Sequence, residues 1–490
     1  MLRPSGESAR NAAWSPDSSS LVFLGGLDLR RTELGGQPQT LAAKLPPLVT
    51  QASWGAGNTI IFTDRYYRLA RLIAAGTQTT APAAAATGQV IYRAPRFLPG
   101  SRDFLFLADG SDAGLWLGSL AGTPPRRITA VTPETDSAAE YLNSGWLVRV
   151  RQNALTAQRF EPARGEFSGE PVTLAPGVGV NPDNAAGAFS VSASGAIAWR
   201  AGGGTRRQLA WFDRNGRNLG TFGPADPLVF DPEISPDNQR VALTRGRMGM
   251  ADVWIQEGSR SLRFTSDPAD DRIEVWSPDS KQVVFASDRK GQFDLYRKAA
   301  NGLGSEELLL ESDSLKFPMS WSPDGRYLIY WTTLNDGDLM VLPLNGGKPF
   351  PFLSTPFNEE LAQFSPDGKW VAYDSNESGR FEVYVRPFPG PGAAWQVSTA
   401  GGDSARWRAD GKELYFLAPD STLMAAPLTV HGSVLETGAP HALFASHIIY
   451  IPGKQEYDVS RDGRFLVATE LEDTSGEPIH LLLNWKPPIR

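Results

Sequence analysis

Short apolar runs of about five residues recur along the chain, rich in β-branched and aromatic side chains, as in Val283-Val284-Phe285-Ala286, Leu328-Ile329-Tyr330-Trp331 and Trp370-Val371-Ala372-Tyr373. Side chains of that kind suit a pleated, half-buried surface, so the runs read as strands. Each follows a four-residue turn that an aromatic residue introduces: Trp276-Ser277-Pro278-Asp279, Trp321-Ser322-Pro323-Asp324 and Phe364-Ser365-Pro366-Asp367. Serine bonds the backbone, proline presets φ, aspartate tolerates the bridge region, and glycine closes the turn at Gly325 and Gly368, as a type I turn requires. A further strand, opened by an acid, comes next (Asp252-Val253-Trp254, Asp294-Leu295-Tyr296, Asp338-Leu339-Met340, Glu382-Val383-Tyr384), and a shorter, more polar one ends the unit.

The turn aspartates at 279, 324 and 367 are spaced about 43 to 45 residues apart. A β pattern with that period is the signature of propeller blades. Anchors of the same kind fall at Trp14, Trp54, Phe97, Tyr141, Phe189, Ile234, Trp276, Trp321, Phe364, Trp407 and Val459. The expected fold is therefore all-β: a β-propeller of eleven four-stranded blade repeats. Eleven exceeds the usual four to eight blades of one ring, so two rings of about five plus six are expected. The pattern changes style between residues 200 and 230. That places an N-terminal propeller at 1–223 and a C-terminal six-bladed propeller at 224–490.

Composition narrows the function classes. With 41% hydrophobic and 21% charged residues the balance is that of a folded globular chain. A net charge of −7 with both signs interspersed gives no polyanion track, which argues against nucleic acid as a partner. There are no cysteines, so disulfides, thiolate catalysis and cysteine zinc sites are excluded. No stretch of about 18 apolar residues is present to span a membrane as a helix.

The C-terminal units resemble the PD40/WD40-like repeats of TolB-type propellers. Whole segments extend the likeness: Asp267-Pro268-Ala269-Asp270-Asp271-Arg272, Thr355-Pro356-Phe357-Asn358-Glu359, Pro387-Phe388-Pro389-Gly390-Pro391-Gly392, Arg406-Trp407-Arg408-Ala409-Asp410-Gly411 and Leu483-Asn484-Trp485. Together they resemble the C-terminal propeller region of acidobacterial-type receptor serine/threonine kinases. That resemblance implies a sensor or protein-interaction role in bacterial signal transduction, an extracytoplasmic setting within a longer kinase, and one more blade ahead of the Trp14 unit. A chain expressed alone would instead be cytoplasmic. A free-standing TolB-like periplasmic scaffold is the alternative, and a lyase- or lactonase-type propeller enzyme a third reading.

Catalytic motifs are missing. No histidine precedes His431, and the kinase glycine-rich loop and Asp-Phe-Gly are absent, so no kinase residue carries over. No serine has glycine at both −2 and +2, as a hydrolase elbow needs. The four histidines, His431, His441, His447 and His480, match no metal-ligand spacing, and the turn aspartates lack the clustered acids of calcium loops. The expectation is a chain that is not an enzyme, with no catalytic residue, cofactor or metal. Function is placed instead on the charged loop rim, at Asp270, Asp271, Arg272, Arg289, Lys316, Asn358, Glu359, Glu360, Asn376 and Asp403. Loops on a rigid scaffold commonly carry binding; a protein, peptide or small molecule would be held there.

Overall fold

A computed structural model describes residues 9–485 apart from 26–27, 34–35, 43–50, 64–67, 74–76, 81–91, 110–112, 133–134, 182–183, 193–194, 203–206, 227, 248, 334–336, 432–433, 447, 449–454 and 472–477. Among these residues the strands form eleven antiparallel sheets, numbered here as blades 1 to 11 in chain order. All eleven anchors lie on the first, innermost strand of their blades, from Trp14 on Ala9–Trp14 to Val459 on Tyr457–Val459. The chain is a β-propeller protein, and no helix among the described residues is long and apolar enough to cross a membrane.

The turn that sets the repeat closes as its chemistry demands. Ser277 Oγ donates to Asp279 Oδ1 at 2.7 Å and accepts from Gln282 N at 2.8 Å; Ser322 and Ser365 do the same with Asp324 and Asp367 at 2.6 Å. The fourth position is left-handed. Gly325 and Gly368 have φ of 76° and 70°, but Ser18 sits there at 59°, where a Cβ is strained. Where the turn has eroded after Trp54, a single turn of 3-10 helix at Ala56–Asn58 takes its place.

Blades pack through their anchors. Trp54 rests on Val22, Leu24 and Leu29 of the blade before it, Trp276 on Ala242, Val253 and Ile255, and Trp407 on Ala372, Val383 and Val385. In each case strands two and three of one blade cover the aromatic anchor of the next, which makes the junctions continuous apolar cores.

The chain divides into two compact units, residues 1–205 with 472–490, and 206–471. The first holds blades 1 to 5 and the second blades 6 to 11. These units part at 205/206, earlier than the 224 boundary read from the change in the repeat pattern, and the chain's end returns to the first unit. The reason is long-range pairing. Arg207–Phe212 joins Phe465–Glu470, with Arg207 opposite Glu470 and Phe212 opposite Phe465, so blade 6 is built from both ends of its unit. Similarly, blade 5 pairs Ile197–Trp199 with His480–Leu482. Blade 5 has three strands and blade 11 five; the other nine have four.

Candidate binding channel

The innermost strands of blades 6 to 11 touch one another in a closed circuit, Tyr457–Val459 against Val229–Ile234, then Asp271–Trp276, Lys316–Trp321, Glu359–Phe364 and Asp403–Trp407. Most of them are kinked. The ladder register slips between Phe230 and Glu233, Arg272 and Val275, Glu360 and Gln363, and Asp403 and Arg406. Within each slip one non-glycine residue takes positive φ: Asp231 at 51°, Ile273 at 54°, Leu361 at 53° and Ser404 at 59°. Such bulges re-aim neighbouring side chains. Here they put Asp231, Glu233, Glu274, Gln363, Arg406 and Gln455 around a cavity of about 30 Å³, closed by Ile273, Pro318, Met319 and Leu361. That is room for a water or two, or for the tip of one side chain.

The cavity is acidic. Asp231, Glu233, Glu274, Glu360, Asp374, Asp403 and Asp458 belong to one charge-coupled group, which Arg406 reaches through a 3.0 Å ion pair with Asp458. Burial, with Asp458 beside it, pushes Glu233 up to about 8 despite Arg406. Burial, with Asp231 and Glu233 nearby, raises Glu274 well above the carboxylate range. Burial also lifts Asp374 and Asp403, which repel each other, the latter to about 7. Like charges confined out of water hold on to protons. Several oxygens are partly supported: Thr244 Oγ1 donates to Glu274 at 2.9 Å, Ser404 N to Asp374 at 2.7 Å, and Ile234 N to Asp458 at 2.7 Å. Four are not. Glu274 Oε1, Asp374 Oδ1, Asp403 Oδ1 and Gln455 Oε1 are buried without a hydrogen-bond partner. Buried polar atoms are seldom left so.

The rim expected from sequence is a different arrangement. Of its ten residues, Asp270, Asp271, Arg272, Lys316, Asn358, Glu359, Glu360 and Asp403 are buried, and only Arg289 and Asn376 are half-buried. Their side chains tie neighbouring loops together. Asp270 accepts from Gly249 N and Ala251 N, both at 2.9 Å, and pairs with Arg272 at 2.9 Å. Arg289 reaches Asp271 at 3.1 Å, and Lys316 pairs with Asp294 at 2.8 Å. Asn376 Oδ1 accepts from Asn358 N at 3.0 Å, while Asn358 donates to Glu360 at 3.3 Å; Thr355 bonds Glu359. Only Glu360 and Asp403 of the set also belong to the channel group. Sequence reading missed Glu233, Glu274, Asp374, Arg406, Gln455 and Asp458. For Glu233, Glu274, Arg406 and Asp458 the available signal was charge inside an inner strand, one or two positions before an anchor; Asp374, on a second strand, and the uncharged Gln455 gave none.

Among the described residues no group of three or more His, Asp or Glu is arranged to hold a metal ion. His431 and His441 are exposed and His480 stacks on Trp199; His447 lies outside the described residues.

Residues 213–358 match the family model PD40, described as TolB beta propeller domain. The "Uncharacterized peptidase YuxL" of Bacillus subtilis (strain 168) is 23% identical over 194 residues, 30% of this chain and 29% of that protein. The Tol-Pal system protein TolB of Helicobacter pylori (strain J99 / ATCC 700824) is 23% identical over 156 residues, 31% of this chain and 37% of that protein. This chain therefore spans about a third of the length of these relatives. Among solved structures, a TolB protein of Agrobacterium tumefaciens is 18% identical, with TM-score 0.44, and covers 55% of this chain and 99% of that one. None of these relatives is described as a kinase, and nothing in them supports the kinase association. The YuxL match overturns the expectation that the chain is not an enzyme, because sequence of this kind recurs in a protein described as a peptidase. Within the second unit, residues 213–358 are therefore similar to a TolB beta propeller domain.

Proposed function

We propose that the chain is a TolB-like β-propeller scaffold that holds a partner protein through a basic side chain or an amino terminus entering the channel of the second unit. The single observation that carries this reading is the acidic lining of the cavity, Asp231, Glu233 and Glu274, in which Glu274 Oε1 and the amide oxygen of Gln455 are buried without a hydrogen-bond partner. A lone ammonium group is about as large as a water and brings the donors and the charge these oxygens lack. The match of residues 213–358 to the TolB propeller family supports the scaffold part of the reading. Selection of a displayed random-peptide library on the purified chain tests it. Enriched peptides should share a lysine, arginine or free amino terminus, and should bind the Glu233→Gln/Glu274→Gln variant at least tenfold more weakly. Peptides that bind both proteins alike would refute the channel as the site.

The YuxL match favours a second reading, a propeller that works in peptide hydrolysis. Cleavage of a fluorogenic peptide panel by the purified chain supports it; a panel left intact at micromolar protein rejects it for this polypeptide.

A further inference from the structure

Successive turns touch one another where the repeat is regular. Ser280 Oγ accepts from Asp237 N at 3.0 Å; a Cβ on Gly368 would touch Pro323 of the turn before it, and one on Gly411 would touch Pro366. Between blades 1 and 2 the turns part. The strand after the turn begins at Ser20, Gln282, Tyr327 and Trp370, six positions beyond its anchor, but at Thr59, five beyond Trp54. The shortened turn leans on blade 3, where Ala56 N donates to Ser101 Oγ at 2.8 Å and a Cβ on Gly55 would strike Phe97. On its other side, against the turn at 15–20, lies a cavity of about 200 Å³ lined by Asp17, Ser19, Arg31, Trp54 and Asn58 among others.

This lining holds one charge of each sign and a stranded donor. The Arg31 guanidinium lies 5.2 Å over the Trp54 ring. Its polar contacts are slack: Ser20 Oγ at 3.4 Å and, at 3.7 Å, the exposed Glu33. Trp54 is 7% exposed, and its Nε1 is buried without a hydrogen-bond partner. The equivalent Trp276 and Trp407 donate to Glu233 O at 3.0 Å and Gln363 O at 3.2 Å. Asp17 accepts from Ser15 and Ser19. In other repeats a basic residue two positions on pairs with the turn aspartate, as Lys281, Arg326 and Arg464 do; here that position is Ser19. A simple anion would meet Asp17, a simple cation would meet Arg31, and an uncharged ligand would pair with neither. A zwitterion pairs with both. Drug-sized ligands occupy pockets of about 300–1,000 Å³, so the occupant of this one is smaller. We propose that the cavity between blades 1 and 2 binds a free α-amino acid, its carboxylate on Arg31 and the Trp54 indole N–H and its ammonium on Asp17. The site shares no residue with the channel of the second unit, so the two readings stand or fall separately.

The test titrates the full chain, carrying ¹⁵N-labelled tryptophan, with each of the common α-amino acids in turn. The signal missing from the Trp54→Phe spectrum is the Trp54 indole N–H. At least one amino acid should move that signal saturably at millimolar concentration or below. Its N-acetyl and amide derivatives, which lack the ammonium and the carboxylate respectively, should bind at least tenfold more weakly. Asp17→Asn should weaken binding of the amino acid itself at least tenfold. Asp17 is exposed and asparagine keeps an acceptor oxygen for Ser15 and Ser19, so the other indole signals should stay in place; Arg31→Gln gives a second check. No saturable shift with any amino acid overturns the proposal, and so does equal binding by Asp17→Asn or by the two derivatives. A shift produced by glucose or glycerol but by no amino acid also overturns it, since an uncharged polyol would then be the occupant.

Discussion

Glu233 shows how one side chain ties stability to pH. Burial lifts it from an ordinary 4.5 to about 8, so the folded protein keeps a proton that the unfolded chain releases. Between those values the native state binds more protons, and stability falls as pH rises. Asp403, raised from 3.8 to about 7, acts in the same sense. The turn aspartates act oppositely but lower down: Ser15 and Ser19 hold Asp17 at about 2, below that window. The thermal midpoint should therefore drop from pH 5 towards pH 8, and Glu233→Gln, which is neutral throughout, should flatten the drop. At the turns, Ser18, like Asn238 and Ser280, occupies the left-handed position that Gly325 and Gly368 fill in other repeats. Ser18→Gly should stabilise the protein by up to about 1 kcal/mol in chemical denaturation, strain relief outweighing the added freedom of the unfolded chain.

At the level of the blade, what matters is whether an anchor has a blade in front of it. Trp276→Ala removes a buried ring from a closed junction and should cost about 3–5 kcal/mol. Trp14→Ala, half exposed to solvent, should cost well under that in the same urea titration. Lys316 is bound into the start of its inner strand by Asp294 at 2.8 Å and by Ser312 O at 3.1 Å. Removing it alone leaves a buried carboxylate, so Lys316→Ala should lose about 3–5 kcal/mol, and the Lys316→Met/Asp294→Leu pair much less. These elements were legible in the sequence because each repeat signals locally: the aromatic anchor, the turn and the apolar run lie within about fifteen residues of one another. The chemistry of the charged positions was not. Asp270, Arg272 and Lys316 look like solvated loop residues until the fold shows that neighbouring segments fold over them. Glu233, Glu274 and Arg406 look like the polar half of an alternating strand until the bulges turn them to the axis.

The molecule as a whole has two compact units, each with one blade assembled from segments far apart in sequence. Calorimetry should show two transitions, and Trp276→Ala should shift only the one belonging to residues 206–471. The boundary between the units was the least legible part of the fold. Pairing of Arg207–Phe212 with Phe465–Glu470 joins segments some 260 residues apart, and no local pattern announces it. That arrangement also sets an order of assembly. The strand that completes the earlier unit, His480–Leu482, is synthesised after every strand of the later one. On the ribosome, the first five blades must wait, one strand short, while six more are made and folded. A chain released at residue 471 would carry a finished second unit behind an unfinished first.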